Sequence, residues 1–142
     1  MVLSVFNINL NGYELKSPNF YVNVEAMHDE VTGSCILVSV NFPDGTKTRF
    51  LVDCGLYQET TYESLNSKMP FDAEKIDYVF VTHNHVDHIG RLPLLIKNGY
   101  RNYIYMSEIT SKIMIPALTD SYKVLNQRSK NEGKPLIYTS QD

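Results

Sequence analysis

The sequence predicts an α/β domain, and two features of the chain support that prediction. Two runs rich in β-branched residues, CILVSVNF and KTRFLVDCG, flank a Pro-Asp-Gly turn within residues 35–55, a pattern typical of a β-hairpin. From residue 76 onward, short apolar runs alternate with segments of helical periodicity. Such an alternation of strand and helix is typical of the α/β class.

Length and composition limit the kind of protein this can be. The 142 residues suffice for one domain with a hydrophobic core but not for two ordinary domains. The content of 43% hydrophobic and 20% charged residues is typical of globular proteins, and no apolar stretch approaches the roughly 20 residues that span a membrane. The first residues lack the pattern of a secretory signal, so we expect a cytoplasmic protein with no membrane partner.

The hairpin also predicts where the two cysteines lie. If Asp44 and Gly45 form a two-residue turn, the numbers of facing residues sum to 89, and Cys35 lies opposite Cys54. Two cysteines are too few for a disulfide framework, so we expect two buried thiols rather than a cross-strand bridge. Residues 1–30 show little periodicity and predict only short strands.

The second half of the chain predicts further short elements. Residues 57–68 are typical of a loop with a short helix. Residues 76–83, IDYVFVTH, are too apolar for an edge strand and predict a strand inside the sheet. Residues 88–99 predict a helix that Gly99 caps, and residues 103–106 predict one more strand.

A long helix is predicted next, with Ser107 as its N-cap and Gly133 at its end. Pro116 lies inside this segment and should kink or split the helix. One apolar stripe at helical spacing is expected to form the buried face. The stripe consists of Ile109, Ile113, Met114, Ala117, Leu118, Tyr122 and Leu125.

Charge is unevenly distributed along the chain, whose net charge is −3. Between His88 and Lys134, eight basic residues outnumber three acidic ones. A polyanion could bind to this basic part, and the alternative is an ordinary solvated helix face.

A cluster of polar residues follows the strand predicted at residues 76–83. His83 and His85 project to the same side of an extended backbone, so their imidazoles can converge on one ion. Asp87 and His88 follow where the chain turns toward a helix, and they can form a second pair of ligands. Four ligands in six residues can therefore serve two adjacent metal ions.

The ligand types indicate the metal and the chemistry. Nitrogen and carboxylate ligands without a cysteine suit zinc, with manganese or iron as alternatives. A bound divalent ion lowers the pKa of its water toward about 7, and two ions about 3.5 to 4 Å apart can also hold the scissile group. The chemistry indicated is hydrolysis.

The stretch THNHVDHIG resembles the HxHxDH signature of the metallo-β-lactamase fold, a four-layer αββα hydrolase scaffold. By this resemblance His83, His85, Asp87 and His88 are metal ligands, and two zinc ions are expected in the complete enzyme. Asp87 is also expected to be catalytic, by accepting a hydrogen bond from the attacking water. LVDCGLYQ resembles the preceding strand of that fold, which implies that Asp53 lies beneath the metals and orients a ligand.

Further stretches resemble the β-CASP branch of this fold, which includes RNA-processing nucleases. They are EVTGSCILV, DCGLYQ, and MSEITSKIMIPALTDSYKV together with PLIYTSQD, so the resemblance covers most of residues 25–142. It implies that the substrate is RNA, or less readily DNA, and that metal-bound hydroxide cuts a phosphodiester.

The resemblance also implies ligands that this sequence does not contain. Such sites use a further histidine, a bridging aspartate and a late histidine, and the unused His28 lies where the family has no ligand. Residues 1–142 are therefore expected to be one partial metallo-β-lactamase-like domain, the N-terminal part of an αββα sandwich without the downstream half and the β-CASP insertion. Alone it is expected to be inactive, unless a partner chain or a homo-oligomer completes the fold.

Two alternatives remain open from the sequence. The same fold could hydrolyse a small ester or thioester, because a fold does not determine its chemistry. The chain could also be an interaction or assembly module that keeps the motif without catalysing a reaction.

Overall fold

One mixed sheet forms the framework of the computed structural model, which describes residues 7–9, 12–17, 19–27, 30–139 and 141. The strands in these residues are β1 (Asn7–Asn9), β2 (Gly12–Ser17), β3 (Phe20–Ala26), β4 (Ile36–Asn41), β5 (Lys47–Val52), β6 (Tyr78–Phe80) and β7 (Ile104–Tyr105). Their order in the sheet follows the chain. Pairing is antiparallel from β1 to β5 and parallel from β5 to β7.

Helices separate the last three strands. The α-helices of the described residues are α1 (Val86–Ile89), α2 (Leu92–Lys97) and α3 (Glu108–Glu132), and the 3₁₀ helices are Thr60–Ser67 and Ala73–Lys75. The predicted α/β class is confirmed. The helix predicted over residues 88–99 is instead two short helices, because the backbone leaves helical geometry at Arg91.

The long helix α3 begins and ends at the residues that the sequence indicates. The Ser107 Oγ accepts a hydrogen bond from the Thr110 backbone N–H at 3.1 Å, which satisfies a free donor of the first turn. Gly133 follows the last turn with a φ of 66°, a left-handed conformation that favours glycine. Pro116 lies within one continuous helix, which excludes the split and leaves the kink as the remaining predicted alternative.

The buried face of α3 is narrower than its apolar stripe. Met114, Ala117 and Leu118 pack against the core. Ile109 and Ile113 are 72% and 43% exposed, so their assignment to the buried face is wrong. No helix in the described part of the chain is long and apolar enough to cross a membrane.

The hairpin of β4 and β5 has a longer turn than expected. Gly45 donates to the Phe42 carbonyl at 3.0 Å, and Phe42 donates to the Thr46 carbonyl at 3.0 Å. Facing residues are Ile36 and Val52 at one end and Asn41 and Lys47 at the other, so their numbers sum to 88. The register predicted from a two-residue turn is therefore wrong by one.

The core lies between the sheet and the helices. Leu51 of β5 and Val79 of β6 point to the helix side because alternate residues of a strand face the same side, and both are fully buried. Ile89, Leu92 and Leu95 of α1 and α2 belong to the same buried cluster. Burial of each such side chain contributes about 1.5–3 kcal/mol. This packing holds α1 and α2 against β5 and β6.

The opposite side of the sheet carries aromatic rings. Phe80 contacts Phe50 edge-on with ring centroids 5.5 Å apart and stacks on Tyr105 at 5.4 Å. Tyr105 also lies 6.1 Å from Tyr78. Tyr78, Phe80 and Tyr105 are 41%, 40% and 46% exposed. We call Phe50, Tyr78, Phe80 and Tyr105 the aromatic face.

Because of Tyr100, the stability of the fold should decrease at alkaline pH. Its hydroxyl donates to the Tyr103 carbonyl at 2.6 Å, and burial raises its pKa to about 12, above an unfolded value near 10. Its contribution is complete below pH 10 and is lost as pH rises toward 12. Tyr100→Phe should cost about 1 kcal/mol at pH 8, and that difference should shrink above pH 10 in urea unfolding. A constant difference across this range would contradict the prediction.

Candidate metal centre

Asp53 follows directly on β5 and has an unusual backbone. Its φ is +63°, a left-handed conformation that costs a non-glycine residue about 1–2 kcal/mol. Its backbone N–H donates to the Phe80 carbonyl at 2.8 Å. The carboxylate of this buried residue, only 2% exposed, therefore lies at the shared end of β5 and β6. Such strain occurs preferentially at functional sites.

Three donors satisfy the Asp53 carboxylate. Oδ1 accepts the Thr82 backbone N–H at 2.8 Å, and Oδ2 accepts the Thr82 hydroxyl at 2.8 Å. Oδ2 also lies 2.7 Å from Nδ1 of His88. With the His88 proton on Nδ1 directed at the carboxylate, Nε2 keeps a lone pair for a metal. That Asp53 orients a metal ligand stays a prediction.

The backbone around the histidines is held by two neighbouring segments. Cys54 donates to the His88 carbonyl at 2.8 Å, and Ser34 donates to the Asp87 carbonyl at 2.8 Å. Gly55 passes so close that a Cβ there would lie 1.6 Å from the Asp87 carbonyl oxygen. The start of α1 is therefore fixed by contacts that require glycine at position 55.

The structure brings His83 and His85 together. His83 Nε2 lies 3.1 Å from His85 Nδ1, and the ring centroids are 4.6 Å apart. The His83 ring also lies 4.0 Å from the ring of His88. These two residues are the first of two pairs that are predicted to be ligands, and we call them the first ligand pair.

Asp87 and His88 are the second predicted pair, which we call the second ligand pair. Asp87 Oδ2 lies 3.6 Å from His88 Nε2, and the two side chains are 23% and 24% exposed. The four residues that the motif predicts as ligands therefore lie in one cluster, which solvent can reach. His28, which is not expected to bind metal, lies outside the described residues.

Both pairs fit a metal ion in spacing. Bonds of about 2.0–2.1 Å in a tetrahedral zinc site place two ligand atoms about 3.3 Å apart, close to the 3.1 and 3.6 Å of the two pairs. Among the described residues, no three His, Cys, Asp or Glu side chains are arranged to hold one ion. If the four residues are ligands as predicted, they supply two to each of two ions, and each ion would need further ligands.

The cysteines lie beside Asp53. Both are free and buried. The Gly55 backbone N–H donates to the Ser34 carbonyl at 2.8 Å. The residue numbers of this facing pair sum to 89, whereas those of the paired β4 and β5 residues sum to 88, because Asp53 adds one residue to its strand. A hydrogen bond with Cys35, together with burial, raises the pKa of Cys54. The prediction of two buried thiols is confirmed. The two-residue turn from which their positions are predicted is not the turn that the structure contains.

Sequence reasoning misses two residues that support the site. The sequence pattern marks Thr82 only as the end of a strand, yet its hydroxyl bonds to Asp53. Arg91 counts among the basic residues of a solvated face, but it is 1% exposed. Its Nε donates to the Gly55 carbonyl, and its guanidinium lies 4.6 Å from the centre of the Tyr57 ring. The only local signal for Arg91 is its position between a glycine and a leucine at the start of α2.

Comparison with known proteins decides the family. The sequence profile of the metallo-beta-lactamase superfamily matches residues 28–128. This chain belongs to that superfamily. The resemblance of THNHVDHIG to the metallo-β-lactamase signature is thereby confirmed, because the matched region contains the whole motif and Asp53.

Relatives within the superfamily are much longer than this chain. A ribonuclease of Thermus thermophilus is 37% identical over 98 residues, which are 69% of this chain and 22% of the relative. The transcription termination factor FttA of Methanocaldococcus jannaschii is 34% identical over 80% of this chain and 17% of its own length. The cleavage and polyadenylation specificity factor 73 of Drosophila melanogaster is 30% identical over 80% of this chain and 16% of its own length. The chain spans about a fifth of the length of these curated relatives.

Gly55→Ala should destabilise the fold of this chain, because the new methyl group would overlap the Asp87 carbonyl. We expect a loss of several kcal/mol or failure to fold. Gly45→Ala is the matched control, since Gly45 has a φ of +86° but no atom within 4 Å of the point where a Cβ would lie, and it should cost only about 1–2 kcal/mol. Thermal denaturation of both variants measures the difference. Equal losses would contradict the proposed close contact.

The 142-residue chain should bind zinc weakly, because each pair supplies two ligands. A four-ligand zinc site is worth about 10–16 kcal/mol at pH 7, so two ligands should give about half of that, or a dissociation constant of roughly 1 μM to 0.2 mM. Titration calorimetry on the metal-free monomer measures this value.

The control for zinc binding is the double variant His83→Ala, Asp87→Ala, which leaves one ligand in each pair and should show no measurable binding. Zinc that stays bound to the monomer through dialysis would contradict the division of the ligands into two incomplete sites.

Proposed function

We propose that this chain contributes to a metal-dependent hydrolase that cleaves RNA at a phosphodiester, in the β-CASP branch of the superfamily. The observation that carries the proposal is the convergence of two ligand pairs at the common end of β5 and β6, with spacings of 3.1 and 3.6 Å. Support for RNA as the substrate comes from relatives, of which one is named a ribonuclease and another a cleavage and polyadenylation specificity factor.

Each pair has a proposed place at the site. His83 Nε2 and His85 Nδ1 would hold one ion, and Asp87 and His88 Nε2 would hold the other. Zinc suits these donors, and manganese is the alternative. When bound, two divalent ions lower the pKa of a water molecule toward about 7 and neutralise charge on a scissile phosphate.

Asp87 has two functions in this proposal. One carboxylate oxygen lies beside His88 Nε2 at 3.6 Å and is available to the second ion. The other oxygen accepts a hydrogen bond from the attacking water and so holds that water toward the phosphate. Asp53 keeps His88 oriented from below and does not contact the substrate.

The two ligand pairs and the aromatic face both require additional residues. We propose that residues beyond this chain, in a longer polypeptide or a partner chain, supply the remaining ligands. Further strands packed on the aromatic face would remove its half-exposed rings from water and complete an αββα sandwich. In this view residues 1–142 form one part of a single domain.

A second candidate function is an interaction module without catalysis. The observation that favours it is that no three ligating side chains among the described residues surround one point. A small ester or thioester is a second candidate substrate, because the exposed cluster imposes no selection for RNA.

In the full protein that contains these residues, His85→Ala should abolish RNA cleavage. Loss of a group that only orients a ligand lowers activity by about 10- to 100-fold, and loss of a ligand itself should exceed that. The rate of cleavage of a labelled single-stranded RNA measures the effect. Asn84→Ala is the matched control, since it removes a polar side chain from the same loop but no metal ligand, and it should retain activity.

Two outcomes would refute this proposal. Full RNA cleavage by His85→Ala would refute the metal site. Turnover of a thioester or lactone without turnover of RNA would refute the substrate class, and inactivity on all substrates with metal present would favour the interaction module.

A further inference from the structure

The Thr82 hydroxyl lies at the centre of the polar cluster. Its oxygen is 2.8 Å from Asp53 Oδ2, 3.0 Å from His83 Nδ1 and 3.4 Å from His88 Nδ1. Its backbone N–H also donates to Asp53 Oδ1 at 2.8 Å, so the backbone and the side chain of Thr82 both form hydrogen bonds with one carboxylate. This places the hydroxyl between the carboxylate and His83.

The number of protons determines the direction of each hydrogen bond. A hydroxyl has one proton to donate and two lone pairs, whereas an ionised carboxylate only accepts. The Thr82 proton therefore goes to Asp53 Oδ2. The contact with His83 at 3.0 Å is then a hydrogen bond only if His83 carries its proton on Nδ1 and donates it to Thr82.

The opposite arrangement of His83 is also within reach in this structure. His83 Nε2 lies 3.1 Å from His85 Nδ1. If the His83 proton were on Nε2, it would donate to His85 and occupy the lone pairs of both ligand atoms. A group that holds the His83 proton on Nδ1 therefore leaves a lone pair on His83 Nε2.

We propose that Thr82 is a positioning residue that selects the Nδ1–H tautomer of His83, by a relay from His83 Nδ1–H to the Thr82 hydroxyl and from there to Asp53. His88 donates to the same Asp53 oxygen at 2.7 Å, so one carboxylate orients one histidine of each ligand pair, directly for His88 and through Thr82 for His83. The proposal rests on the proposed function only in its consequence for metal, because the tautomer is a property of the metal-free chain.

The test compares Thr82→Val with Thr82→Ser. Valine keeps the branched shape and removes the hydroxyl, and serine keeps the hydroxyl. Nitrogen-15 NMR of the histidine-labelled, metal-free chain at about pH 8 reports which ring nitrogen carries the proton. We expect Nδ1–H at His83 in the parent chain and in Thr82→Ser, and Nε2–H in Thr82→Val, while His88 stays Nδ1–H in all three.

A zinc titration of the same samples gives the consequence for metal. Thr82→Val should weaken binding at the His83 and His85 pair by about 10- to 100-fold and leave the pair of Asp87 and His88 unchanged. Asp53→Asn should affect both pairs, because one of the two acceptor oxygens that serve Thr82 and His88 becomes an NH₂ donor.

An Nε2–H tautomer at His83 in the parent chain would overturn the proposal, and so would an unchanged His83 tautomer in Thr82→Val. The parent spectrum can overturn the proposal in this way even if the valine variant does not fold. Failure of RNA cleavage in the full protein would refute the proposed function and leave these spectra unaffected, so the two failures are distinguishable.

Discussion

The buried carboxylate of Asp53 is the constraint on which the centre depends. A charge removed from water costs several kcal/mol unless hydrogen bonds replace its hydration. Here a backbone N–H, a hydroxyl and an imidazole supply that replacement. Because those donors belong to the end of β6 and to α1, the end of β5 cannot move without breaking contacts in two other elements. The strained backbone of Asp53 is stabilised by the same contacts.

The candidate metal site is enclosed by protein on one side and open to solvent on the other. Its inner side is closed by Asp53 and by the passing segment at Gly55, where even a methyl group has no room. Its outer side leaves Asp87 and His88 about a quarter exposed. A centre of this form is preorganised for ligands that arrive from solvent or from another segment of protein, since the protein side of each pair is already held.

Local signals in the sequence predict much of this structure. The β4–β5 hairpin, the start of α3 at Ser107 and its end at Gly133 depend on turn and cap residues, whose effect is confined to a few neighbours. The clustering of His83, His85, Asp87 and His88 follows from strand geometry and the motif. These predictions succeed because each depends on short-range geometry that the sequence contains.

Apart from the turn of the hairpin and the division of the helix at Arg91, the predictions that fail depend on contacts between distant segments. The extra residue at Asp53 restores the facing of Cys35 and Cys54, and no local pattern announces a left-handed aspartate. Periodicity places Ile109 and Ile113 on the buried stripe of α3, but the position of the helix over the sheet determines how much of that stripe is covered. Arg91 is buried because Gly55 and Tyr57, more than 30 positions earlier, surround its guanidinium.

The aromatic face has a consequence for how such a polypeptide is made. Neighbouring rings that are about two-fifths exposed form an apolar surface. Newly synthesised chains can associate with one another through such a surface. Strand β7 is the last strand of the sheet in the described residues, and an edge strand next to those rings is a template for intermolecular strand pairing. The yield of folded protein in a host cell would then depend on chaperone capacity and growth temperature. Aggregation during expression would reflect this exposed surface and not a defect at the histidines.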